Sequence, residues 1–162
     1  MIFGKQRRLL EAGAKIADFR LQQLAGGEVA SGEIFSQGPA LLAFFKVNCP
    51  VCQLTFPYLE RIHSPERLSV YGISQNGPED TGDFQRTYGV TFPILLDRES
   101  SGFRVSNAFG ISSVLTLFLV ERGGTVSRVI EGWRKSDIAA LGIQAGVDPF
   151  RKGESVPEAK AG

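Results

Sequence analysis

The sequence predicts an α/β fold with a central mixed β-sheet flanked by helices, and three observations carry that prediction. "ALLAFFKV" (40–47) is an almost unbroken apolar run, the pattern of a parallel strand buried on both faces. Beyond it, strand-like and helix-like segments alternate, so crossovers bring parallel strands together. Two strand-like runs, "VLTLFLVE" (114–121) and "TVSRVIEGW" (125–133), then flank Arg122-Gly123-Gly124 and form a hairpin that adds an antiparallel edge.

The elements follow in order. Residues 1–15 form a polar lead-in. "ADFRLQQLAGGEVAS" (17–31) places alternating apolar residues around a Gly26-Gly27 turn, a short strand pair that forms an N-terminal β extension. After the buried strand, 50–63 is helical: Cys52, Phe56, Leu59 and His63 share one stripe, and Leu54, Tyr58 and Ile62 the next. Pro50 suits the first turn, whereas Pro57 falls mid-helix and is expected to kink it. "LSVYGISQ" (68–75) is a strand, "EDTGDFQRTYG" (79–89) a helix ended by Gly89, and "FPILLD" (92–97) a strand. "SGFRVSNAFG" (101–110) is a short helix, and "KSDIAALGIQAG" (135–146) a last one, capped by Ser136 and ended by Gly146. Residues 1–150 are expected to form one domain. The small, polar segment 151–162 is expected to be a disordered tail that adds little stability.

Composition excludes several functions. The 162 residues are 43% hydrophobic and 22% charged, with a net charge of +1. That balance gives no electrostatic case for nucleic acid or an anionic membrane, and "KQRR" (5–8) reads as a solvated turn. No stretch approaches the ~20 apolar residues needed to span a bilayer. No apolar segment follows the early positive charges, which points to the cytoplasm, or to the periplasm if a signal has been removed. Two cysteines three positions apart cannot staple a small fold, so a disulfide framework is excluded.

Those cysteines carry the chemistry. Cys49 follows the buried strand and opens the helix, where unpaired N–H groups and the positive end of the helix dipole favour a thiolate. Cys52 lies on the same face within disulfide reach, deeper along the stripe that continues into Phe56 and Leu59. The arrangement suggests that Cys49 attacks a disulfide and Cys52 resolves the mixed disulfide. Two other readings stand beside it. A zinc site has Cys49, Cys52 and the only histidine, His63, as ligands, and needs a fourth from a carboxylate or another subunit. Alternatively, both cysteines are small core residues.

"GPALLAFFKVNCPVCQLTFPYLERI" resembles the active-site region of the thioredoxin superfamily in its TlpA-like, AhpC/TSA (redoxin) branch. There a similar strand leads to Cys-x-x-Cys, with a proline five residues after the second cysteine, as Pro57 is here. The resemblance extends over about residues 10–145 through "AGAKIADFRLQQLAGGEV", "VYGISQN", "FPILLD" and "AFGISSVLTLFLVERGGTVSRVIEGW". It implies a thioredoxin-like fold and a thiol–disulfide oxidoreductase activity. The partners would be protein or small-molecule disulfides and a thiol reductant; no cofactor or metal is expected.

The sequence departs from that family's pattern at four places. Asn48 replaces the aromatic before the first cysteine and is a candidate helix cap. Ala43 stands where thioredoxins bury an acid, and Thr55 where some TlpA-like reductases carry a carboxylate, so no base for Cys52 is evident. Lys46 is the one charged residue near the cysteines on that strand, either reaching solvent or favouring the Cys49 thiolate. Leu115, before Thr116, replaces the family's cis-proline. A non-proline cis bond costs about 2.5–4 kcal/mol and nothing local favours it. The Val114–Leu115 bond is therefore expected trans, with its loop displaced from Cys49 and partner docking weakened. Two further functions compete: a thiol peroxidase, and a redox-silent binding module. Peroxiredoxins need Thr or Ser three residues before the reactive cysteine and Pro four before that; here those positions hold Lys46 and Leu42.

Overall fold

The computed structural model describes residues 8–162. Of the basic stretch at 5–8, residues 5–7 lie outside the described residues, as does the start of the polar lead-in. Strand β1 (Arg20–Gln23) turns through Gly26-Gly27 into β2 (Glu28–Ala30), the expected N-terminal pair, and a single helical turn, α1 (Ser31–Ile34), follows. Then come β3 (Ala40–Phe45), α2 (Pro50–Ile62), β4 (Ser69–Ser74), α3 (Pro78–Tyr88) and β5 (Ile94–Leu96). α4 (Arg104–Ala108), the hairpin β6 (Thr116–Val120) and β7 (Val126–Glu131), β8 (Trp133–Arg134), α5 (Lys135–Ala145) and β9 (Ala159–Lys160) complete the chain.

Seven strands form one sheet in the order β2-β1-β5-β4-β3-β6-β7. β3, β4 and β5 run parallel, linked by helical crossovers, while β6 and β7 extend the sheet antiparallel on one side and β1 and β2 on the other. Mixed pairing is therefore a consequence of the connections the sequence contains.

Period-two alternation divides β3 between two cores. Leu41, Ala43 and Phe45 face one cluster, completed by Phe56, Leu59 and Ile62 of α2, Phe84 of α3 and Ile138 and Leu141 of α5. Ala40, Leu42 and Phe44 face the other, with Ile34 of α1, Val105 of α4 and Phe109. All six β3 residues are fully buried, which is why the run has no polar member. Aromatic rings hold each side: Phe45, Phe56 and Phe84 meet at centroid distances of 4.3–5.2 Å, and Phe44, Phe109 and Phe118 at 5.0–5.7 Å. Each such side chain contributes about 1.5–3 kcal/mol on burial.

Helix ends follow local chemistry with two corrections. α3 and α5 stop at Gly89 (φ 65°) and Gly146 (φ 75°), as read from sequence, because the left-handed cap carries no Cβ penalty in glycine. Ser136, however, does not cap α5; Arg134 occupies that position without a side-chain cap bond. The chain enters the helix directly from β8, and the Lys135 N–H donates to the Glu158 carbonyl, so Ser136 already lies inside the first turn. The helix expected over 101–110 is divided into a 3₁₀ turn (Glu99–Ser101) and α4, separated by Gly102 and by Phe103 at φ 50°. The buried Asp97 carboxylate accepts from the Val105 N–H, the Ser106 N–H and the Ser106 hydroxyl, at 2.6–3.2 Å, and this fixes the start of α4.

The segment 151–162 is ordered against the body, contrary to its reading as a disordered tail. Glu154 makes two bonds to the Arg61 guanidinium, at 2.7 and 2.8 Å. The Trp133 indole N–H donates to the Pro157 carbonyl at 2.6 Å, and β9 pairs antiparallel with β8. Apolar area in this segment is indeed small. Its anchors are charge-assisted and backbone hydrogen bonds, which an apolar-area argument does not count.

Candidate active site

The chain leaves β3 at Phe45 and makes a short turn before α2. That turn is held by side chains from elsewhere. Asn76, at the end of β4, accepts the Val47 N–H through Oδ1 at 2.9 Å, and Gln53 donates Nε2 to the Val47 carbonyl at 2.9 Å. The Cys49 N–H reaches back to the Lys46 carbonyl at 3.3 Å. Asn76 and Gln53 were not singled out from sequence; "VYGISQN" contained the first only as part of a strand end.

Cys49 is the N-cap of α2, in extended conformation, and Pro50 takes the first helical position, where its missing N–H costs nothing. The Cys49 sulfur accepts the Cys52 N–H at 3.1 Å. Cysteine therefore does what was expected of Asn48, whose side chain is exposed and makes no cap bond. The reason is position: the orphan amides of a helix point at the residue immediately before its first turn, which is Cys49.

Both cysteines are free thiols; Cys49 is partly exposed and Cys52 fully buried. Burial, first, and then the hydrogen bond to the Cys49 sulfur push the Cys52 thiol far above the ordinary range, with backbone hydrogen bonding at Lys46 opposing. Cys52 therefore keeps its proton. Thr55, buried one turn further on, donates its hydroxyl to the Val51 carbonyl at 2.7 Å and offers no base. Lys46 is exposed, and its side chain lines a cleft of about 210 Å³ with Gln75, Ser106, Ser113 and Val114.

The opposite wall corrects a second expectation. The Val114–Leu115 bond is cis, where a trans bond was expected. The Leu115 side chain is fully buried in the same cluster as Cys52, and Val114 and Cys49 both pack against that cluster. The Leu115 carbonyl accepts the Gly132 N–H at 2.9 Å, and the buried Thr116 hydroxyl donates to the Ser113 carbonyl at 2.8 Å. Local preferences alone favour trans, whereas the loop is fixed by contacts with the end of β7 and the core.

The metal reading is not assembled. His63 caps the far end of α2, roughly 20 Å from Cys49 at 1.5 Å per residue, and its Nδ1 accepts the Val70 N–H at 2.9 Å. Among the described residues no group of three His, Cys, Asp or Glu side chains could hold a metal ion. Nor is any helix among them long and apolar enough to cross a membrane.

Residues 12–129 match the AhpC/TSA family. The chain belongs to that family. This AhpC/TSA chain is 29% identical over 134 residues to the thiol-disulfide oxidoreductase ResA of Halalkalibacterium halodurans, covering 80% of this chain and 74% of that protein. It is 28% identical over 141 residues to ResA of Geobacillus thermodenitrificans, covering 84% and 79%. Its fold is similar to the thioredoxin domain of a thiol-disulfide oxidoreductase from Bacteroides vulgatus, with a TM-score of 0.72 at 19% identity, covering 81% of this chain and 94% of that one. The fold is thioredoxin-like, as the resemblance implied.

Proposed function

We propose that this chain is a thiol–disulfide oxidoreductase in which Cys49 is the attacking thiol and Cys52 the resolving one. One observation carries the assignment: Cys49 caps α2 with its sulfur on the Cys52 amide while Cys52 is buried behind it. In the reductive direction the Cys49 thiolate attacks one sulfur of a partner disulfide. A mixed disulfide forms and the partner's first sulfur leaves as thiolate. Cys52 then gives up its proton to that departing thiolate and attacks the Cys49 sulfur. The Cys49–Cys52 disulfide closes and the second partner thiol is released. Two electrons have moved from the chain's dithiol to the partner, and an external thiol reductant restores the pair. Since Thr55 supplies no carboxylate, the base for the second step arrives with the substrate.

Lys46, Asn48, Pro50, Leu115 and Thr116 support the site in this reading. Pro50 and Leu115 shape the two walls beside Cys49, Thr116 holds the loop, and exposed Lys46 and Asn48 meet the partner. Reduction of insulin and of 5,5′-dithiobis(2-nitrobenzoate) by the reduced protein tests the proposal. Wild type should turn over both and Cys49→Ser neither; equal rates from the two proteins would refute it.

A further inference from the structure

Whatever disulfide Cys49 attacks must bring its sulfur to bonding distance, so the residues flanking it must lie against the walls that flank Cys49. One wall is the first turn of α2 and the other is Val114–Leu115. Residues 157–162 already lie there. Pro157 and Lys160 share a cleft of about 290 Å³ with Pro50, Val51 and Leu54 of α2. On the other side Gly162 abuts the Val114 carbonyl and the Leu115 nitrogen so closely that a Cβ would collide with both. Between these, a Cβ on Gly132 would stand 2.5 Å from the Lys160 carbonyl oxygen, so glycine at 132 is what lets the backbone of this segment pass. Ala159 and Lys160, both exposed, run over Gly132 as an extended strand paired with β8.

We infer that residues 157–162 occupy the groove in which an extended peptide carrying the target disulfide docks, so that tail and partner compete for it; this rests on the oxidoreductase reading above. The partner is an extended polypeptide with a glycine or similarly small residue where Gly162 abuts Val114–Leu115. Backbone pairing and apolar contact with Pro50, Val51 and Leu54 supply its binding. The occupied groove lowers apparent affinity by the fraction of molecules with the tail released. A small disulfide that reaches Cys49 without lying in the groove escapes that competition. One hold on the tail, the Arg61–Glu154 pair, lies at the end of α2 away from Cys49, so it can be weakened without altering the groove.

Two variants test this: full-length Glu154→Gln, and a chain lacking 157–162. Trp133, the only tryptophan, reports tail release by a red-shifted emission. Expected is an increase in kcat/KM for insulin of roughly three- to tenfold, set by the released fraction, with the rate on 5,5′-dithiobis(2-nitrobenzoate) nearly unchanged. If the truncated chain fails to fold, Glu154→Gln decides. Unchanged insulin rates despite a shifted Trp133 emission would overturn the proposal, as would equal acceleration of both disulfides. Should wild type reduce neither disulfide, the oxidoreductase reading fails by itself. The groove is then judged by titrating Cys49→Ser with insulin: a red shift at Trp133 upholds competition and a static emission overturns it.

Discussion

The Cys52 amide donates to the Cys49 sulfur at 3.1 Å, which makes the two thiols unequal before any chemistry occurs. Negative charge on Cys49 is met by an N–H and the helix start, whereas charge on Cys52 would sit in an apolar cluster. Iodoacetamide should therefore modify Cys49 in the native protein and reach Cys52 only on unfolding. Peptide mapping after a short exposure checks this, and earlier modification of Cys52 would reverse the roles.

Removing the second sulfur should stop the reaction halfway. Cys52→Ser retains the attack by Cys49 but contains no other thiol to displace the partner, so mixed disulfides should accumulate. Non-reducing electrophoresis with insulin reads this directly. A trapped species in Cys49→Ser, formed through Cys52, would contradict the mechanism.

Asn76 positions the cysteine turn from outside it. With Asn76→Ala the Val47 N–H loses its acceptor, at an expected cost of about 1–3 kcal/mol in urea unfolding. Insulin reduction should fall by more than stability alone explains, because the Lys46–Cys49 turn is then free to move. Asn76→Asp keeps the acceptor and should restore most of both; failure of that rescue would mean the amide group has another task.

How much of this was legible in sequence follows from the range of each interaction. β3, α2 and the hairpin β6–β7 were readable because burial on both faces, helical stripes and glycine turns are written in neighbouring residues. The cysteine pair was readable for the same reason, since three positions along a helix fix its geometry. Asn76 on Val47, Arg61 on Glu154 and Gly162 on Val114 were not. They join residues 29, 93 and 48 positions apart, and nothing at either end announces the partner. The Val114–Leu115 loop was misjudged on the same ground: its hold comes from Gly132 and the core.

His63 should make stability sag in mild acid. Burial lowers its pKa below the ordinary 6.5, with Glu60 opposing, and its Nδ1 is committed to the Val70 N–H. As pH falls below 6.5 the unfolded chain binds a proton that the folded one resists, so stability declines until the folded form also protonates. His63→Asn, which can keep an acceptor there, should remove that slope. Urea midpoints at about pH 7.5 and about pH 5.5 measure it, and an unchanged slope in the variant would assign it to other groups.

Glu154 gives a dependence of the same sign in a lower pH window. Its hydrogen bonds to Arg61, chiefly, and to the Arg151 N–H lower its pKa from 4.5 to about 2. For a carboxylate held below its unfolded value, the contribution is complete above pH 4.5 and disappears as pH falls through about 2. The pair is partly solvent-accessible and salt screens it, so the effect is modest and should shrink further at high ionic strength. Wild type should therefore melt above Glu154→Gln at neutral pH, and the two Tm curves should converge towards pH 2. Trp133 emission should shift in the wild type over the same range, because losing the ion pair loosens the segment that carries the Pro157 carbonyl. A Tm gap that persists undiminished at pH 2 would show that the substitution acts through something other than the charge on Glu154.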